Sequence, residues 1–99
     1  MSTKSELRAV ALNILLNNPQ PPNQFVKLEL AVAASVNPSR PHPAGFSGDE
    51  WLLFREVFSD LILDKIITVG RDSANSELPY FRIHSEAREN LKRLEQVQK

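Results

Sequence analysis

Apolar residues recur every three or four positions along most of this chain and every second position along one short part of it. Leu7, Val10, Ala11, Ile14 and Leu15 fall at helical spacing behind Thr3-Lys4-Ser5-Glu6. That tetrad is a capping box, in which the threonine oxygen accepts an orphan amide and the glutamate reaches back. Asn17-Asn18-Pro19 stops the pattern, because the residue before a proline avoids the α region, so the first helix is expected over 4–17. Phe25, Leu28, Val32 and Val36 continue at helical spacing, with Ala31, Ala33 and Ala34 as strong helix formers. Asn23 is the expected cap. A strand over 25–30 is the competing reading, since Val26, Leu28 and Leu30 alternate with Phe25, Lys27 and Glu29; the helix is preferred.

Residues 37–45 contain Pro38, Pro41 and Pro43, which forbid a regular element and favour extension. Ser47-Gly48-Asp49-Glu50 is a second capping box, with Phe46 and Trp51 at the spacing of a hydrophobic staple. A helix over 48–64 follows. Its apolar stripe is Trp51, Phe54, Phe58, Leu61 and Ile62, widened by Leu53 and Val57.

The period then changes. Ile66-Ile67-Thr68-Val69 is β-branched throughout, Gly70 closes it, and Pro79 to His84 alternates, with Phe81 and Ile83 on one face. A hairpin with a polar tip over 71–78 is expected. Ser85 is the expected cap of a last helix, whose narrow seam is Ala87, Leu91 and Leu94. An isolated hairpin is marginal in water, so this one is expected to lie on the helices with Phe81 and Ile83 inward.

The expected fold is therefore one α+β domain over 1–99: three helices, a two-stranded wing and a C-terminal helix. That order resembles the winged-helix superfamily. The likeness runs over roughly residues 4–95. It is carried by the amphipathic helix ending Leu61-Ile62-Leu63-Asp64-Lys65-Ile66-Ile67-Thr68-Val69, the polar wing, and the return from Tyr80 to Leu91. The resemblance implies that DNA would meet the helix before the wing, and that the terminal helix would serve dimerisation.

Charge changes that picture. The net charge is zero, but four cations face two acids in residues 1–46, three face seven in 47–77, and five face three in 78–99. Once its apolar stripe is set aside, the third helix offers Asp49, Glu50, Arg55, Glu56, Ser59, Asp60 and Asp64, a face expected to repel phosphate. The nine-residue loop before it exceeds the 3–4-residue turn of a helix-turn-helix. The leading expectation is a non-catalytic module that binds protein or a second copy of itself. Its partner surface would be Asp49, Arg55, Glu56 and Asp60 with Arg40 from the proline-rich loop, and its dimer seam Ala87, Leu91 and Leu94. The alternative is a DNA-binding transcriptional regulator using Arg71, Arg82, Arg88 and Lys92.

Other chemistry finds little support. There is no cysteine, and His42 and His84 are the only histidines, too few for the three or four ligands of a zinc site. No phosphate loop, nucleophile elbow or His-Glu-x-x-His run is present. No catalytic residue, cofactor or metal is expected. The apolar runs fall far short of the ~20 residues that span a bilayer, and the N-terminus lacks the apolar core of a signal peptide. A cytoplasmic location without membrane contact is the expectation.

Overall fold

The computed structural model describes residues 3–38 and 45–97. Among these residues the fold is a small α+β arrangement of four helices and a two-stranded antiparallel sheet. Helix α1 spans Lys4–Leu16, α2 Phe25–Val36, α3 Gly48–Leu63 and α4 Ala87–Val97; strands β1 (Ile67–Val69) and β2 (Phe81–Ile83) lie between α3 and α4.

Thr3 caps the first helix as expected, but Glu6 reaches back to its hydroxyl and not to its backbone amide. Thr3 Oγ1 accepts from the amide of Glu6 at 3.2 Å, and the hydroxyl donates to the Glu6 carboxylate at 3.2 Å. Leu7, Ala11 and Leu15, one turn apart, are buried. The expected helix over 25–36 is present. Its cap, however, is Gln24 and not Asn23. The backbone explains the shift. The Asn23 carbonyl accepts from the amide of Phe81 at 3.0 Å, the Phe25 amide donates to the carbonyl of Pro79 at 2.9 Å, and Gln24 is extended opposite Tyr80. One residue of the connector thus pairs with the hairpin before the helix begins.

At α3, Ser47 is the cap by backbone conformation, but its side chain makes no cap hydrogen bond. Gly48 follows with φ of 59°, a left-handed turn that favours glycine and carries the chain away from the geometry of an ordinary cap. The expected staple also fails. Phe46 is buried against Phe54, ring centres 5.4 Å apart, while Trp51 is left partly exposed.

The end of α3 is a Schellman turn. Ile66 N donates to Leu61 O at 3.0 Å and Lys65 N to Ile62 O at 3.1 Å, with Lys65 left-handed at φ 58°. Leu61 and Ile66, the apolar pair such turns bring together, are both fully buried. That turn delivers the chain directly into β1. Ile67 pairs with Ile83, Thr68 with Arg82 and Val69 with Phe81.

The core fills the space between the helices and the inner face of the hairpin. Phe54, Phe58 and Phe81 are fully buried. Phe58 meets Phe81 edge-on at 5.5 Å and Phe25 edge-on at 4.8 Å, the arrangements that ring quadrupoles favour. The last helix starts one residue later than a cap at Ser85 would set it. Glu86 holds the cap position, its carbonyl accepting from the amide of Asn90 at 2.9 Å, and the ring Nδ1 of His84 accepts from the Glu86 amide at 3.0 Å. Ala87 then seats in the core and Asn90 Nδ2 donates to the carbonyl of Lys65 at 2.9 Å, tying α4 to the Schellman turn.

Candidate functional site

Helix α3 buries Phe54, Val57, Phe58 and Leu61. Its remaining surface differs from the acidic face expected from its sequence. Lys4 Nζ lies 2.7 Å from Asp60 Oδ2 and 3.6 Å from Glu56 Oε1, and Arg8 Nη2 lies 3.0 Å from Asp64 Oδ2. Two acids of α3 and the Asp64 that ends it are therefore matched by two cations of α1, which packs beside it. The hydrogen bond to Asp60, opposed by burial and assisted by the Asp60 and Glu56 charges, holds the Lys4 ammonium above its ordinary value.

Removing those acids from account leaves an outer strip of Asp49, Leu52, Arg55, Ser59 and Leu63, all exposed. Leu52 is 56 % and Leu63 77 % exposed. Their positions follow from the helical period. Residues 52, 56, 59 and 63 lie diametrically opposite the buried row 54, 57, 58 and 61.

On the flank toward the hairpin, Trp51 and Arg55 of α3, Phe25 of α2, and Leu78 and Pro79 of the wing line an open groove of about 340 Å³. The guanidinium of Arg55 sits over the Phe25 ring, 5.6 Å from its centre. Trp51 and Leu78 remain 37 % and 47 % exposed at the groove, and Val26, next to Phe25 on α2, is 54 % exposed. Trp51 was expected in the core and is instead part of this rim. Leu52 and Leu63 belong to neither the apolar stripe nor the charged face read from the sequence. The signal that would have found them is their angle on the helical wheel, opposite Phe54 and Leu61.

Of the residues expected to face a partner, Asp49 and Arg55 are exposed, Glu56 and Asp60 are paired to Lys4 as above, and Arg40 lies outside the described residues. The cations expected to meet DNA divide in two. Arg71 is stacked on the Tyr80 ring at 4.8 Å and joined to Asp72 Oδ2 at 3.3 Å. Arg88 donates to the carbonyl of Leu16 at the end of α1. Arg82 and Lys92 are exposed on β2 and α4. Asp72 also organises the wing. Its Oδ1 accepts from the amides of Ala74 (3.0 Å) and Asn75 (2.9 Å), and the Asn75 amide leads the causes that hold this carboxyl below its ordinary value.

In the seam on α4, Ala87 is 2 % exposed and belongs to the chain's own core, which removes it from any dimer contact. Leu91 is half-buried against that core, and half-buried Leu94 lines a shallow hollow with Leu63, Lys65 and Asn90. Among the described residues no group of three or more histidines and carboxylates is placed to hold a metal ion. None of their helices is long and apolar enough to cross a membrane. No family model matches the chain, nor does any curated protein or solved structure.

Proposed function

We propose that this chain is a non-catalytic winged-helix binding module of the cytoplasm whose partner is a protein, met on the apolar face of α3 and the groove beside it. One observation carries the reading. Trp51 and Leu78 stay exposed on the rim of an aromatic-walled groove, and Leu52 and Val26 are exposed on the same helices, α3 and α2. Contiguous exposed apolar surface in a small domain marks an interaction site more often than scattered single residues do. Arg55 and Trp51 are also the residue types that concentrate binding energy in protein interfaces. The winged-helix part of the reading is supported by the direct run of α3 into the hairpin and by the extended pairing of Gln24 with Tyr80 ahead of α2.

A second reading, DNA-binding regulator, gains from one observation: Lys4 and Arg8 neutralise much of the acidity that should repel a duplex from α3. It loses from another, since Arg71 and Arg88 are engaged within the chain.

The two readings part cleanly in experiment. The sole tryptophan is the rim residue, so its emission reports cover of the groove. A photo-crosslinking residue in place of Leu52 is expected to give a discrete protein adduct in the producing cell, and the same residue in place of Lys92 none. Sedimentation of the pure chain shows whether that adduct is a second copy. Duplex DNA is expected to leave mobility unchanged at low salt. Tight, salt-sensitive duplex binding with no adduct at position 52 would reverse the order.

A further inference from the structure

The groove beside α3 has walls of one chemistry and a single charged group. Phe25, Trp51, Leu78 and Pro79 supply the walls, and Arg55 is the one charged side chain among the described residues that line it. Glu50 and Glu77 adjoin lining residues in sequence but do not line the groove. The polar side-chain groups of the lining are the guanidinium of Arg55 and the indole N–H of Trp51, and both can only donate. Proline has no amide to offer, and the Pro79 carbonyl is already taken by the Phe25 amide at 2.9 Å. A molecule seated here therefore has to bring its own acceptor.

Arg55 is placed to receive that acceptor. Arg8, Arg71 and Arg93 pair with carboxylates, and Arg88 donates to a carbonyl. Among the arginines of the described residues, Arg55 and Arg82 have no such partner, and Arg82 does not line the groove. The stack of the Arg55 guanidinium on the Phe25 ring, 5.6 Å from its centre, orders the planar fork without using its N–H groups. That fork matches a carboxylate, which it can hold by two parallel hydrogen bonds. Trp51 and Arg55 stand one turn apart on α3, so the apolar and the charged parts of the groove are neighbours. Phe25 opens α2, whose first turn carries no acid and whose cap makes no side-chain hydrogen bond, so nothing there offsets the positive end of that helix.

We infer that the groove binds a linear peptide segment of its protein partner in which an aspartate or glutamate stands beside a large apolar residue, the carboxylate on Arg55 and the apolar side chain against Trp51 and Leu78. The inference rests on the reading of the groove as a protein-binding surface and adds the chemistry of what it takes. At about 340 Å³ the groove has room for a few side chains and not for a folded domain. Its aromatic and leucine walls suit an apolar side chain and give nothing to a phosphate backbone, which separates this ligand from a nucleic acid.

The test selects random linear peptides displayed on phage against the purified chain. Peptides with an acid next to leucine, isoleucine, phenylalanine or tryptophan are expected to be enriched. The best of them is expected to shift the emission of Trp51, the sole tryptophan. Its amide counterpart, with glutamine or asparagine for the acid, is expected to bind the wild-type chain roughly tenfold more weakly, the factor a lost charge-assisted hydrogen bond carries. Arg55→Gln is expected to bind the acidic peptide that much more weakly and to distinguish the two peptides no longer. The comparison of peptides on the wild-type chain decides even where the variant fails to fold. Selected peptides without acids, or equal affinity for the acidic peptide and its amide counterpart, would overturn the inference; the groove reading stands if those peptides still shift Trp51. An empty selection would overturn it too, and the adduct at Leu52 then decides whether the wider reading falls with it. Emission that shifts with duplex DNA, or with protein concentration alone, would put a nucleic acid or a second copy in the groove and overturn it as well.

Discussion

Glu29 is buried within α2, only 7 % exposed, with one carboxylate oxygen 2.8 Å from the amide of Phe46. That bond closes the far end of the proline-rich connector onto the middle of a helix. Phe46 is itself buried, so its amide has no water to turn to if the carboxylate is lost. Gly45 shows how close the approach is: a Cβ there would stand 2.3 Å from Glu29 Oε2. Leaving a buried donor unmet costs about 1–3 kcal/mol. Glu29→Ala is therefore expected to lower stability by roughly 2 kcal/mol in urea unfolding. Glu29→Gln keeps an acceptor within reach and is expected to lose less than half of that. Equal losses in the two variants would mean that packing, not the bond to Phe46, holds the connector.

At the scale of elements, the turn out of α3 is a helix end without the residue that usually makes one. Lys65 occupies the left-handed position of a Schellman turn, where a side chain costs about 1–2 kcal/mol and glycine nothing. Glycine would add back freedom to the unfolded chain, worth about 0.4–1 kcal/mol. Lys65→Gly is thus expected to stabilise by roughly 0.5 kcal/mol net and raise the melting temperature by a few degrees. Lys65→Ala should give no gain, because it keeps the Cβ. A lowered melting temperature for the glycine variant would show that the lysine stem supplies contacts outweighing the strain. This turn marks how far the sequence could be read. The four helices and the two strands were legible because each has a clean period, from Leu7, Ala11 and Leu15 to the β-branched run at Ile67. The corners were not. A left-handed lysine has no sequence signature, Asn23 resembles a cap that tertiary pairing displaced, and Ser85 resembles one although the helix begins one residue further on. For the candidate site, Asp49 and Arg55 were legible as exposed polar positions. Trp51 was assigned inward by its spacing, and Leu52 and Leu63 escaped because exposure of a leucine depends on which neighbours fail to cover it.

At the scale of the whole molecule, the uneven charge along the chain is largely a matter of sequence order. The acidic middle segment meets the basic start in space, through Lys4 with Asp60 and Glu56 and through Arg8 with Asp64. Exposed pairs of this kind are individually weak and screened by salt, so their larger effect is on what the surface attracts. The Lys4 ammonium is raised above 10.5 by Asp60. A raised base contributes stability that is complete below its unfolded value and disappears as pH climbs through the folded one, so this contact is intact at neutral pH and lost only in strong alkali. Reversing both cations, Lys4→Glu with Arg8→Glu, sets like charges face to face between α1 and α3. The double variant is expected to melt several degrees lower at low salt and to recover part of that loss when salt shortens the Debye length below about 10 Å. The recovery is the diagnostic part, since lost packing by the two stems would persist at any ionic strength. A salt-independent loss would mean that α1 is held to α3 by its apolar face alone, and that the acidity of α3 is as available to a partner as its sequence first implied.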